Sequence, residues 1–85
     1  MLTFKKDDYE FFFPLLGKDE QKALTSIAAN QGDSVLIDDE DTEINLYDWL
    51  NDLVVLKGLD KDYEVNSAGK RLEKLSDYIF SVIEA

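Results

Sequence analysis

Tyr9, Phe12, Phe13 and Leu16 stand at the i, i+3, i+4, i+7 spacing that lines one side of a helix. Pro14 interrupts that helix, because its ring removes a backbone donor and pushes the residue before it out of α geometry. The pattern therefore predicts a short helical turn over about 7–13, a fresh start near Pro14, and room for a strand at 2–5. The aromatic cluster reads first as core, where each ring buries a large apolar area, and second as a ligand pocket.

Further along, Leu24, Ile27 and Ala28 share one side of a helix predicted over 19–30. Asp19 and Glu20 sit in its first turn, where the helix dipole favours anions. Gly32 is expected to close it as a left-handed cap. Val35, Leu36 and Ile37, bracketed by Asp33 and Asp38, have the β-branching and the length of a short strand.

A longer helix is predicted over 42–57. Leu46, Tyr47, Trp49, Leu50, Leu53, Val54 and Leu56 cover about half of its circumference. The other half carries Asn45, Asp48, Asn51 and Asp52, with Ile44 and Val55 among them. Gly58 ends the helix. Leu59 and residues 63–66 then predict a hairpin around Asp60, Lys61 and Asp62, with Tyr63 and Val65 on one face. The last helix opens at Asn66 or Ser67, both good N-caps. Its narrow stripe of Ala68, Leu72, Leu75, Ile79, Val82 and Ile83 leaves Lys70, Glu73, Lys74, Asp77 and Ser81 facing away. Leu72, Leu75, Ile79 and Val82 have a/d heptad spacing, so the stripe either docks on the rest of the chain or pairs with a second copy as a homodimer.

The residues over 55–79, VLKGLDKDYEVNSAGKRLEKLSDYI, resemble the ending of a winged-helix domain of the MarR or PadR kind. In such domains a helix ends in glycine, a strand leads to a wing, and a second strand runs into a glycine-containing helix. Leu56, Gly58 and Leu59, then Tyr63 and Val65, then Gly69 and Leu72 match that order. The resemblance implies a small, mostly helical α+β fold of three to four helices with a short two- or three-stranded sheet. It does not carry DNA binding with it. The space between Ile37 and Thr42 is too short for the second helix of a helix-turn-helix. The wing tip holds two aspartates, and the outward face of the would-be recognition helix offers Asp48 and Asp52 where cations are needed beside phosphates.

Charge sharpens this picture. Nineteen acids against nine bases give a formal charge of −10 over 85 residues, a length that bounds the chain to one domain. Nucleic acid repels such a chain unless its bases cluster, so another protein, in particular a basic one, is the expected partner. The only local excess of bases is Lys70, Arg71 and Lys74, which ordinary pairing with neighbouring acids accounts for. The acidic run over 38–43 invites a calcium reading, yet a calcium loop needs a glycine at its sixth position and none is near. Those acids are read as the N-cap and first turn of the helix that follows.

The sequence has no histidine and no cysteine, so the commonest general base and the thiolate nucleophile are both missing. No phosphate-cradling glycine motif occurs. A non-enzymatic chain without cofactor or metal is expected. Apolar runs are too short for a signal peptide or a membrane span, which points to the cytoplasm. Three functions follow. The first is a protein-interaction or regulatory module contacting its partner through Ile44, Asn45, Asp48, Trp49, Asp52 and Val55. The second is an acidic inhibitor that imitates nucleic acid. The third is a winged-helix DNA-binding regulator.

Overall fold

A computed structural model describes residues 1–84 as a small α+β fold with four α-helices and a three-stranded antiparallel sheet. Its contacts cluster in two compact units, residues 1–44 and the residues from Asn45 onward. Among the described residues no helix is long and apolar enough to cross a membrane.

The first unit is built on strand pairing. β1 (Leu2–Lys5) runs antiparallel to β3 (Ser34–Ile37), with Leu2 opposite Ile37 and Phe4 opposite Val35. Because side chains alternate across a strand, that register turns all four apolar residues to one buried face. α1 (Lys6–Phe12) leaves β1 directly, and Pro14 sits in the first turn of a 3-10 segment at Phe13–Leu15, where its missing donor costs little. Phe12 is fully buried, with Phe4 and Tyr9 edge-on at 5.2 Å.

α2 (Lys18–Ile27) begins after Gly17, whose N–H donates to the Glu20 carboxylate at 2.9 Å. It stops three residues earlier than its pattern predicts. Ala28 is extended, and Ala29–Asn30 form β2, which pairs with Leu36 and Val35 at the other edge of β3. Gly32 is left-handed at φ +78°, but it serves a hairpin and not a helix end. Gln31 N–H donates to the Ser34 carbonyl at 2.8 Å, closing a two-residue loop of Gly32 and Asp33. Glycine at the first loop position is what a type II′ hairpin turn requires. The ladder thus takes backbone groups that the helix would have used.

β3 has β1 on one side and β2 on the other, whereas the only bridge of the would-be wing, Leu59 with Val65, stands outside any named strand. The expected hairpin shrinks to that bridge because Asp60 captures its donors. One Asp60 carboxylate oxygen accepts from the N–H groups of Asp62 at 2.8 Å and Glu64 at 3.1 Å. Tyr63 takes a left-handed φ of +63° and projects into solvent, so it does not share a strand face with Val65.

α3 (Glu40–Lys57) supplies the last residues of the first unit and the first helix of the second. Asp39 caps it, accepting from both the N–H and the hydroxyl of Thr42. α4 (Ser67–Ile83) is capped by Asn66, whose side chain accepts from Gly69 N–H at 2.8 Å. From Asn45 onward α3 and α4 form an antiparallel helical hairpin whose contacts keep one register. Tyr47 meets Phe80 with ring centroids 5.6 Å apart, and Asn51 Oδ1 accepts from Ser76 Oγ at 2.9 Å. At the closed end Gly58 meets Gly69 backbone to backbone. A Cβ on Gly58 would lie 2.6 Å from Gly69 Cα, and one on Gly69 would collide with the Gly58 carbonyl.

Candidate functional site

The side chains proposed from sequence as a partner surface do gather on one side of α3. Ile44, the last residue of the first unit, precedes Asn45, Asp48, Asp52 and Val55 on the exposed side of the same helix, and all five are exposed. Ile44 is 45% exposed and Val55 67%. Trp49 is half-buried at the edge of that face. Leu56, assigned by its pattern to the apolar half, is 73% exposed and joins Val55 outside. The sequence missed it because Leu56 lies at the margin of the apolar arc, beyond half-buried Trp49 and well round the helix from Leu46, Leu50 and Leu53.

The acids ahead of this face divide by role. Glu43 turns inward, is almost fully buried, and accepts a charged hydrogen bond from the Met1 amino group at 2.9 Å. That bond holds the amino group above its ordinary pKa, against a smaller opposing effect of desolvation. The hydroxyl and N–H of Thr42 hold the Asp39 carboxyl below the usual carboxylate range. Asp38, Glu40 and Asp41 are exposed. Among the described residues no group of three or more acids is arranged to hold a metal ion.

The pattern of the α4 stripe leaves two covers open, the rest of the chain or a second copy. Leu72 and Ile79 have no exposed surface, and Leu75 is buried with them. The middle of the stripe lies within the chain's own core, while Ala68, Val82 and Ile83, half-buried, keep part of their surface. A heptad pattern shows that a stripe must be covered; it does not say by what. Phe80, off the stripe, is partly exposed beside Tyr47.

The first unit contains a feature that sequence reading left as core packing. Tyr9 and Phe13 lie nearly parallel, with ring centroids 5.4 Å apart and planes 24° apart. With Pro14, Ala28 and Val35 they line an open hollow of about 400 Å³, rimmed by Lys6 and Glu10. Burial raises the pKa of the Tyr9 hydroxyl, which keeps it neutral across the physiological range. A second hollow of about 450 Å³ shares Phe13 and Thr25 with the first and is bordered by Lys18, Gln21 and Lys22. Gln21 is fixed there by donating to the carbonyls of Phe13 and Leu16. The spacing of Tyr9 and Phe13 signalled the aromatic pair; nothing local in the sequence places Lys6, Lys18 and Lys22 around it.

No protein-family model, no curated protein and no solved structure matches this chain.

Proposed function

We propose that the chain is a non-catalytic protein-interaction module that contacts a basic partner through the outer face of α3. One observation carries the reading: Val55 and Leu56 keep most of their surface in water, at the end of a helical face that presents Asp48 and Asp52. Exposed aliphatic groups beside unpaired carboxylates suit a partner that offers cations around an apolar patch. Burial of the aliphatic groups supplies affinity, and the carboxylates supply encounter rate and selectivity. From the winged-helix resemblance this reading takes the ending of two helices joined through a glycine turn, and it leaves aside DNA binding.

The test is capture of partners from the source cell with the wild-type chain, followed by titration of the captured protein. Asp48→Lys with Asp52→Lys is expected to weaken binding by about tenfold or more, since two attractive pairs become repulsive. Val55→Ser with Leu56→Ser is expected to weaken it at every salt concentration. A partner held unchanged by both double variants would sink the proposal. The second reading, imitation of a phosphate backbone, draws on Asp48 and Asp52 being exposed on α3. It predicts binding to a nucleic-acid enzyme that falls steeply with salt and ignores the Val55 and Leu56 changes.

A further inference from the structure

The two hollows of the first unit differ in charge from the rest of the chain. Lys6, Lys18 and Lys22 border them, and none of the three makes an ion pair among the described residues. Glu10 is the one acid in either lining. The linings thus hold three bases against one acid in a chain of net charge −10. Screening limits electrostatic reach to about 8 Å at physiological ionic strength, so a ligand seated in the hollows feels the lining charges most. Asp7 and Asp19 adjoin Lys6 and Lys18 in the chain and oppose them.

The shape suits a chain segment. Both hollows are open neighbours with Phe13 and Thr25 in both walls, and together they are treated as one groove. The apolar end, floored by the Tyr9 and Phe13 rings, has the volume for one large side chain; the other end is polar and cationic. Asn30 lines the apolar end and belongs to β2, an edge strand of the sheet. Gln31 N–H bonds to the Ser34 carbonyl, so by the alternation of an antiparallel ladder the Asn30 N–H and C=O point away from β3. An extended segment in the groove meets a free backbone donor and acceptor there, as in strand addition at a sheet edge.

We propose that this groove binds an extended acidic peptide, with one aromatic side chain over the Tyr9–Phe13 floor and carboxylates against Lys18 and Lys22. None of the residues invoked here is one invoked on α3, and the ligand preferred is of opposite charge.

The test uses the full chain, labelled with nitrogen-15, and a capped peptide of sequence Glu-Asp-Asp-Phe-Asp-Glu. Saturable amide shifts are expected at Thr25, Ala28 and Asn30. A peptide with lysine at every acidic position, and one with serine for phenylalanine, should each bind about tenfold more weakly. Lys18→Glu with Lys22→Glu should weaken the acidic peptide by a similar factor, and Thr25→Glu should do so by filling the junction of the hollows. These three positions are exposed, so the fold persists, and a dispersed spectrum verifies it. Asp48→Lys with Asp52→Lys should leave the affinity unchanged, which keeps this proposal distinct from the one for α3. The absence of saturable shifts overturns the proposal, as does full-strength binding by the lysine double variant. Loss of binding in the aspartate double variant also overturns it. Dodecanoate saturating the same amides where the peptide does not would assign the groove to a small anionic amphiphile and end the peptide proposal.

Discussion

The two units solve the same problem of burying a small core by different means. The first unit uses strand register, which places Leu2, Phe4, Val35 and Ile37 on one face through a backbone ladder that is indifferent to side-chain size. The second uses close approach of two helices, which depends on two residues having no side chain at all. A ladder distributes its tolerance over many positions. A glycine crossing concentrates its intolerance in one pair. Surfaces differ accordingly: the first unit opens a groove between its helices and sheet, while the second displays the outer side of α3.

Variants can break this contrast or sharpen it. Gly69→Val should have the largest effect, because a side chain there meets the Gly58 carbonyl and Val65 Cγ1, neither of which has room to retreat. Overpacking of this kind costs about 3 kcal/mol or more, read as a lost urea transition or a steep fall in its midpoint. If Gly69→Val melts like wild type, the glycine crossing is not what holds the helices together. Next comes Phe12→Ala in the first unit, a cavity at a fully buried ring, expected to cost about 3–4 kcal/mol in the same measurement.

Gly32→Ala should be milder, about 1 kcal/mol, since the hairpin needs a positive φ there but nothing crowds the position. An equal loss from Gly32→Ala and Gly69→Ala would erase the distinction between a glycine kept for its φ and one kept for its space. Ser76→Ala removes one hydrogen bond to an exposed partner and should cost about 0.5–1 kcal/mol.

The smallest effect is a pH dependence. The Met1 amino group has its pKa raised by Glu43, so its share of stability is fully present below the ordinary amino value. That share is lost as pH rises through the raised value. A wild-type chain should therefore lose a little thermal stability above neutral pH. Glu43→Gln should lose that slope, and a slope unchanged in the variant would locate its source elsewhere.

Much of this fold was legible in residue order. The room for a strand at 2–5, the β-branching at Val35 and Ile37, and the cap at Asn66 read correctly because each is a local signal. The acidic run reads as cap and first turn without singling out Asp39, and α3 starts two residues earlier than predicted. β2 was not read. Ala28 and Ala29 favour a helix, and Gly32 after them looks like its cap; the pair Gly32 and Asp33 is also a hairpin signal, and tertiary pairing decided between the two. The wing hairpin is reduced to one antiparallel bridge because an aspartate placed at its first turn position bonds its own backbone. The exposed side of α3 was legible from period except for Leu56. The groove was not, since Lys6, Lys18 and Lys22 converge only after α1 and α2 have packed.

The contact of Gly58 with Gly69 has an engineering consequence. Gly58 also accepts from Asn66 N–H at 2.7 Å, so both ends of the intervening connection are anchored before its tip is reached. Residues 61–63 are exposed and lie beyond those anchors. Doubling the length of a flexible connection adds only about 0.6 kcal/mol of closure entropy. That tip is where a fluorophore-bearing insert or an affinity handle belongs on this scaffold.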